Sequence, residues 1–256
     1  MDERIKSIIV KVGTAGVTTK DNIRREVIKQ LACSCYQLLK FGKSVAIVTS
    51  GAIALGRRET NSRYRENESL KEKQRYASIG QPFLMQVYRE EFKKYGIRVA
   101  QLLLTSDDFN DKKRLDNLKA TYYELRKNKD MAIFNENDAV ATKEITFGDN
   151  DLLAAYLIKG LNIDLLLNLI VYDGLLRKGK IVKIANSFNV ANYDRLESEI
   201  REGRGGLESK LQAANITTNA GKVFILGNIK YNLLEILKGK KPSTKFLPYN
   251  KKIKNV

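Results

Sequence analysis

Short runs of β-branched and aliphatic residues alternate with longer helical patterns along most of the chain. The predicted strands are Ile8–Val12, Val45–Thr49, Val99–Leu104, Met131–Phe134, Asp164–Val171 and Val223–Leu226. The predicted helices are centred on Ile23–Phe41, Lys73–Tyr95, Lys112–Lys127, Asn150–Lys159, Asn192–Arg201 and Leu207–Ala220. This alternation predicts an α/β fold whose mainly parallel sheet is covered by helices on both faces. Sheets of this kind bind ligands beyond the carboxyl ends of their strands.

The 256 residues include only 3 prolines and contain no internal repeat or linker-like stretch, so we expect one domain over residues 1–256. Two β-like segments interrupt the alternation. They are "ATKEITF" and "DGLLRKGKIVKI", and Lys178-Gly179 in the second predicts a hairpin turn. The polar run "ETNSRYRENESLKEK" predicts a surface loop.

Composition excludes several classes of protein. The longest apolar run, Leu165 to Val171, is interrupted by Asn168 and is far shorter than the roughly 18 residues that cross a bilayer. With no apolar leader segment, we expect a cytoplasmic protein and no membrane partner. The net charge of +17 comes mainly from scattered lysines, which does not predict a nucleic-acid partner. Cys33 and Cys35 have the spacing of neither a metal site nor a disulfide framework.

The chain contains no histidine. Catalytic triads, Cys-His pairs, zinc sites with histidine ligands and histidine general bases are therefore all excluded. Any chemistry has to use lysines, carboxylates, amides and backbone groups.

Glycine-marked loops lie at the expected strand ends and helix starts, where backbone amides can approach an anion. "KVGTAG" contains Lys11 and Gly13, and "VAIVTSGAIALGRR" contains Ser50 and Gly51. The other two segments are "NENDAVATKEITFGDNDLLAAY", with Asp138, Asn150 and Asp151, and "GRGGLESKLQAA", with Arg204, Gly205, Gly206 and Lys210. Each loop alone is more often a turn or a cap than a ligand site. Their order along the chain is the informative feature.

The second loop has glycines at the spacing of a phosphate-binding P-loop, but Arg57 and Arg58 replace the lysine and hydroxyl residue of that motif. Together with "VKVGT", "KQRYASIGQPFLMQVY", "AQLLLTSDDF", "NENDAVATKEITFGDND", "GRGGLESKLQAANI" and "TKFLP", it instead resembles the amino acid kinase family, and within it the glutamate 5-kinases. By that resemblance the loop binds substrate. Arg57 and Arg58 are then expected to be charges on a helix face, with a contact to phosphate as the alternative.

The resemblance implies an αβα sandwich with a mainly parallel central sheet, which is the amino acid kinase fold. It implies ATP-dependent phosphorylation of the γ-carboxylate of L-glutamate to L-glutamyl 5-phosphate, the first step of proline biosynthesis. A glutamate γ-carboxylate with a pKa of about 4.3 is already ionised at neutral pH, so the reaction needs no general base and the lack of histidine is no obstacle.

Site residues follow from the same resemblance. The expected catalytic residues are Lys11, Lys210 and Asp151, and the expected glutamate-binding residues are Ser50, Gly51, Asp138 and Asn150. The nucleotide would contact Lys11, Gly13, Ile170, Val171, Asp173, Arg204, Gly205, Gly206 and Lys210. Mg²⁺ would accompany ATP, bound mainly by phosphate oxygens and water and not by a dedicated protein site.

One segment departs from the family pattern. Ile170 and Val171 occupy positions where family members carry Thr-Asp, which predicts weaker or less selective nucleotide binding. Two alternatives therefore stay open: a non-catalytic glutamate-binding relative, or a kinase of the same fold that acts on another small carboxylate. The resemblance further implies a homo-oligomer, dimer or tetramer, with proline as a candidate feedback inhibitor. We expect no C-terminal PUA domain, because the chain ends at Val256.

Overall fold

The computed structural model describes residues 2–19, 22–65, 67–141, 150–194 and 206–248. Within these ranges the strands are β1 Ser7–Val12, β2 Ser44–Val48, β3 Val99–Leu104, β4 Met131–Glu136, β5 Leu165–Ile170, β6 Leu176–Arg177, β7 Lys180–Ile181, β8 Ile184–Ala185, β9 Val223–Asn228 and β10 Ser243–Phe246. The helices are α1 Thr14–Val17, α2 Arg25–Lys40, α3 Ala52–Glu59, α4 Leu70–Lys93, α5 Asp107–Asn110, α6 Lys112–Lys127, α7 Asn150–Gly160, α8 Leu207–Asn219 and α9 Leu233–Leu237. A short 3-10 helix spans Val190–Asn192.

The main sheet of the described residues has the strand order β3-β4-β2-β1-β5-β9-β10-β8. Neighbouring strands are parallel except for β10, which runs antiparallel to β9. Because β4, β2, β1, β5 and β9 are parallel neighbours, the loops that follow them meet at one edge of the sheet. The prediction of a mainly parallel sheet is confirmed.

Alternating residues of the central strands pack into two separate hydrophobic cores. Ile8 and Val10 of β1 contribute to the core under α2, α4 and α9, whereas Ile9 contributes to the core under α6, α7 and α8. The two-residue period of a strand therefore directs the Lys11 side chain to the α7 and α8 side. The result is the expected αβα sandwich.

Apart from the predicted helix Asn192–Arg201, the predicted elements match the observed ones to within three residues, and the largest difference is at the start of α4. The polar run from Glu59 to Lys73 is a loop only in its middle, because Glu59 ends α3 and α4 begins at Leu70. Ser69 accepts a hydrogen bond from the Glu72 backbone while the Glu72 side chain accepts one from the Ser69 backbone. This capping box starts α4 three residues before the predicted boundary.

The predicted hairpin is confirmed. β6 pairs antiparallel with β7, and Lys178 and Gly179 have φ angles of 52° and 72°, as the turn requires. "ATKEITF" from residue 142 onward and the predicted helix beyond residue 194 lie outside the described residues, and Asn192 ends the 3-10 helix.

Two expectations concern features away from the sheet edge. Within the described ranges, no helix combines the length and the apolar composition that crossing a membrane requires. Cys33 and Cys35 are both free thiols. Burial raises the pKa of the Cys35 thiol to about 12, so that thiol stays protonated and unreactive at neutral pH.

Candidate active site

Two lysines and one aspartate meet at the carboxyl edge of the sheet, and we call them the lysine–aspartate cluster. Lys11 lies near the end of β1, Asp151 in the first turn of α7, and Lys210 in the first turn of α8. The Lys11 ammonium contacts Asp151 Oδ1, and Lys210 Nζ lies 3.2 Å from Asp151 Oδ2. The Asp151 side chain is fully buried, that of Lys11 is 5% exposed and that of Lys210 is 19% exposed. The cluster therefore opens to solvent on the Lys210 side.

Asp151 is held as a carboxylate. Burial by itself would raise the pKa of its carboxyl, but the ammonium groups of Lys11 and Lys210 outweigh burial and hold that pKa below its ordinary value. Asn168 on β5 donates to Asp151 Oδ1 at 2.8 Å, and the Ser209 hydroxyl donates to Oδ2 at 3.3 Å. Since both carboxylate oxygens are occupied, Asp151 positions the two lysines and is poorly placed to accept a proton.

The sequence analysis did not select Asn168 or Ser209. The signal for Asn168 was present, because an amide in the middle of an apolar buried strand requires a polar partner. Here that partner is Asp151. The position of Ser209 beside Lys210 carried no comparable signal.

Glycines lie on two sides of the cluster. Gly13 precedes α1, and a Cβ atom at that position would lie 3.5 Å from Lys11 Nζ. Gly206 precedes α8, and a Cβ atom there would meet no atom of a described residue within 4 Å. The amino end of α8 lies next to the Lys210 ammonium, which is 3.4 Å from the Gly206 carbonyl oxygen, and the backbone amides of a helix amino end suit an anion. Arg204 and Gly205 lie outside the described residues.

A second polar group, next to the cluster, contains three of the four predicted glutamate-binding residues. Gly51 precedes α3 with a φ of 106°, a conformation that favours glycine. Asn150 Nδ2 lies within hydrogen-bond distance of the Thr49 carbonyl at 2.9 Å, Ser50 Oγ at 2.8 Å and Asn135 Oδ1 at 2.9 Å. The start of α7 is thereby attached to the loops after β2 and β4.

The hydrogen bonds continue away from the site. Asn135 Nδ2 donates to Gln81 Oε1 at 2.8 Å, and Gln81 Nε2 donates to Gln101 Oε1 at 3.0 Å. Asn135 is the first residue of the segment "NENDAVATKEITFGDNDLLAAY", but the sequence predicted no role for it, and Gln81 was not selected at all. Asp138, the fourth predicted glutamate-binding residue, lies in the half-buried turn that follows β4.

Two buried amide oxygens of the site are candidates for contact with a ligand. Asn150 Oδ1 and Asn168 Oδ1 are buried and accept no hydrogen bond from any described residue. A buried acceptor without a donor is costly, and in a site of this polarity it is normally satisfied by a ligand or by water.

The segment that departs from the family pattern follows β5. Ile170 is the last residue of that strand and is buried in the core on the α7 and α8 side, whereas Val171 is 41% exposed. Asp173 accepts hydrogen bonds from Asn228 at 2.8 Å and from Tyr231 at 3.3 Å, and Lys230 Nζ lies 3.1 Å from it. Asp173 therefore links the ends of β5 and β9.

The arginines of the P-loop-like segment contact other protein side chains. Arg57 pairs with the buried Glu68 at 2.7 Å, and Arg58 donates to Asn22 at 3.0 Å. The placement of both arginines on a helix is confirmed. Arg57 is not a solvated surface charge, because it forms a largely buried ion pair with Glu68. A Cβ atom at Gly56 would lie 1.7 Å from the Tyr76 carbonyl oxygen, so this glycine permits the close crossing of α3 and α4.

Comparisons with known proteins agree with this architecture. The sequence profile described as the amino acid kinase family matches residues 6–227. The glutamate 5-kinase of Thermoanaerobacter sp. (strain X514) is 37% identical over 257 residues, covering 96% of this chain and 69% of the relative. The glutamate 5-kinase of Alkaliphilus oremlandii (strain OhILAs) is 38% identical over 237 residues, covering 89% of this chain and 90% of the relative. A solved structure of carbamate kinase from Giardia lamblia bound to AMP-PNP is 17% identical, has a TM-score of 0.63, and covers 96% of this chain and 99% of that one, so it shares the fold.

Proposed function

Because the chain belongs to the amino acid kinase family, and within it to the glutamate 5-kinases, we propose that the lysine–aspartate cluster transfers the γ-phosphoryl group of ATP to the γ-carboxylate of L-glutamate. The products are ADP and L-glutamyl 5-phosphate. The observation that supports this role is the attachment of two ammonium groups to one buried carboxylate at the carboxyl edge of the sheet.

The proposed role of the two lysines is electrostatic. During transfer, negative charge is spread over the three equatorial oxygens of the phosphoryl group, and catalysis consists mainly of positioning and of stabilising that charge. Lys11 and Lys210 would approach these oxygens from the β1 and α8 sides. Asp151 fixes both ammonium groups before substrate arrives, so little reorganisation is needed during the reaction.

No side chain has to remove a proton. The attacking γ-carboxylate is ionised at neutral pH, and its oxygen forms the new bond to phosphorus while the β–γ bridging oxygen leaves with ADP. Asp151 remains ionised throughout, with both oxygens occupied by donors. This explains how a chain without histidine can carry out the reaction.

Glutamate would bind beside Ser50, Gly51 and Asn150. The Ser50 hydroxyl and the backbone amides around Gly51 are donors suited to a carboxylate. Asp138 and Asn150 Oδ1, which accepts no hydrogen bond from a described residue, are suited to the substrate ammonium group. Asn135 would act as a positioning residue, because it contacts Asn150 and is itself held by Gln81.

The nucleotide phosphates would lie between Gly13 and the amino end of α8, near Gly206 and Lys210. We extend the proposal to Arg204 and Gly205, which precede Gly206 in sequence, and to Val171 and Asp173 beyond β5. Mg²⁺ would enter with ATP, bound mainly by phosphate oxygens and water. A single domain over residues 1–256, a dimer or tetramer, and inhibition by proline are proposed from family membership alone.

An ADP-release assay with magnesium-ATP and glutamate tests the proposal through Lys210→Met. The matched control is Lys222→Met, because both side chains are 19% exposed and each pairs with one aspartate, Lys222 with Asp164 at 3.5 Å. Loss of one preorganised donor predicts a kcat lower by about 10²–10³-fold in Lys210→Met, with a much smaller change in the glutamate KM. Lys222→Met should keep the native kcat.

The same assay separates the alternatives. An unchanged kcat in Lys210→Met would remove this lysine from the mechanism. Glutamate binding without any ADP release would favour the non-catalytic relative. Faster turnover with another small carboxylate than with glutamate would favour a kinase of the same fold that acts on that carboxylate.

A further inference from the structure

A cavity of about 420 Å³ lies at the amino edge of the sheet, opposite the lysine–aspartate cluster. We call it the amino-edge cavity. It is bounded by the carboxyl ends of α2 and α6, the loop that follows α4, and the segments that lead into β2 and β4. Ser44 lines it at the start of β2, about six residues and therefore roughly 20 Å from Ser50. The cavity is thus distinct from the proposed substrate and nucleotide sites.

Positive charge surrounds this cavity. The basic residues among its lining groups are Lys40, Lys43, Arg126 and Lys129. Lys43 donates to the carbonyl of Ile5 at 2.6 Å, and within the described ranges no carboxylate forms an ion pair with any of these four residues. Asp130 also lines the cavity, but its charge is neutralised by Arg98 at 2.7 Å.

Basic residues are common at helix carboxyl ends, where they offset the helix dipole. The helix dipoles could therefore explain the basic residues around the cavity without any ligand. The ends of α2, α4 and α6 each contribute only about half a negative charge. Three such ends cannot neutralise four full positive charges. The remaining positive potential favours an anion.

Aromatic groups complete the cavity. The Tyr36 and Tyr95 rings lie 5.4 Å apart, and the Lys40 ammonium lies 5.4 Å from the Tyr36 ring centre. The Tyr122 side chain is almost fully buried, and its hydroxyl, next to Ser44, makes no hydrogen bond of normal geometry with a described residue. This hydroxyl is a buried polar group that a ligand entering the cavity could satisfy.

From this combination we propose that the amino-edge cavity binds a small organic anion, a phosphate or a carboxylate attached to a planar apolar body. The body would pack against Tyr36 and Tyr95, and the anionic group would face Arg126 and Lys129. The volume lies within the range of small-molecule sites, about 300–1,000 Å³, and is too large for an inorganic ion alone. The inference is independent of the proposed catalytic reaction.

Titrations followed by ligand-observed NMR test the inference on the full chain with three probes: phenyl phosphate, phenylacetate and benzyl alcohol. The two anions should bind more tightly than the neutral alcohol, and the tighter anion identifies the preferred group. Arg126→Gln should weaken anion binding by about tenfold to a hundredfold, the value of one charge-assisted hydrogen bond. Lys127→Gln is the matched control, because it removes the same charge from the same helix turn at a position outside the cavity lining.

Saturating magnesium-ATP and glutamate should leave the anion affinity unchanged. The inference is overturned if benzyl alcohol binds as tightly as the anions, if neither anion binds at millimolar concentration, or if Lys127→Gln loses as much affinity as Arg126→Gln. Displacement of the anions by ATP or glutamate would place them in the catalytic site and overturn it as well.

Discussion

Replacing Asp151 with asparagine tests whether one buried carboxylate stabilises the ammonium groups of both Lys11 and Lys210. The change keeps the shape of the side chain but leaves Lys11, whose side chain is 5% exposed, without its counter-ion. Breaking a buried ion pair by removing one partner typically costs about 3–5 kcal/mol. At about 2–4 °C per kcal/mol for a chain of this size, the melting temperature of Asp151→Asn should fall by about 6–20 °C.

The cause of that loss can be isolated with a double-mutant cycle. Lys11→Met removes the stranded ammonium, so Asp151→Asn combined with Lys11→Met should lose less stability than the two single changes added together. Contacting residues usually differ from additivity by about 0.5–3 kcal/mol. Urea unfolding of the four proteins at neutral pH measures this difference. A cost below about 1 kcal/mol for Asp151→Asn, or strict additivity, would refute the reasoning.

The pH dependence gives an independent check with a definite sign. The pKa of Asp151 is lowered in the folded state, so its contribution is complete above the unfolded value of about 3.9 and is lost as the pH falls through the lower folded value. Native protein should therefore lose this contribution only below about pH 4. Asp151→Asn lacks the titrating group and should show a shallower acid limb. Its kcat should fall by about 10²-fold, because both lysines lose their fixed position.

Three further changes test neighbouring parts of the site. Gly206→Ala should raise the ATP KM without changing the melting temperature, because a Cβ atom there meets no atom of a described residue within 4 Å; an unchanged KM would exclude close passage of the phosphates. Gly80→Ala should destabilise the protein by about 1–3 kcal/mol, because its Cβ atom would lie 2.0 Å from the Ala52 carbonyl oxygen. Since Ala52 follows Gly51 of the proposed glutamate site, the same change should raise the glutamate KM. Ser78→Ala, at an exposed position of the same helix, is its control. Asp138→Ala should weaken glutamate but not ATP in calorimetric titrations; equal losses would indicate structural damage.

The sequence was sufficient for the central sheet. Apolar runs such as Val223–Leu226 favour strands covered on both faces, and β9 begins at the predicted Val223 with five of its six residues buried. Helix α6 was also predicted at its observed bounds, from Lys112 to Lys127. Strand β10 could not be predicted in the same way, because a four-residue strand that contains Thr244 and Lys245 has neither a long apolar run nor a clear alternation.

Contacts between distant segments were the part that local patterns could not supply. Gly56 and Gly80 occur in different motifs, and only their three-dimensional contact shows that both permit helices α3 and α4 to approach closely. Glu68 lies in a polar run that predicts a solvated loop, yet its carboxylate is buried against Arg57. Such a pair depends on how α3 and the start of α4 are placed, which is a property of the tertiary fold.

The same distinction determines how the unusual segment after β5 should be tested. From sequence, Ile170 and Val171 are equivalent departures from a Thr-Asp pair. In the structure Ile170 is buried in the core, so a threonine there would place a hydroxyl in an apolar environment and destabilise the fold whatever it did for the nucleotide. Val171 is 41% exposed and can be changed alone. Val171→Asp should therefore tighten ATP binding by up to about tenfold, the value of one additional hydrogen bond, with little change in stability. If calorimetry shows no gain while Asp173→Asn weakens ATP, the nucleotide contact in this chain belongs to Asp173, three residues beyond the end of β5.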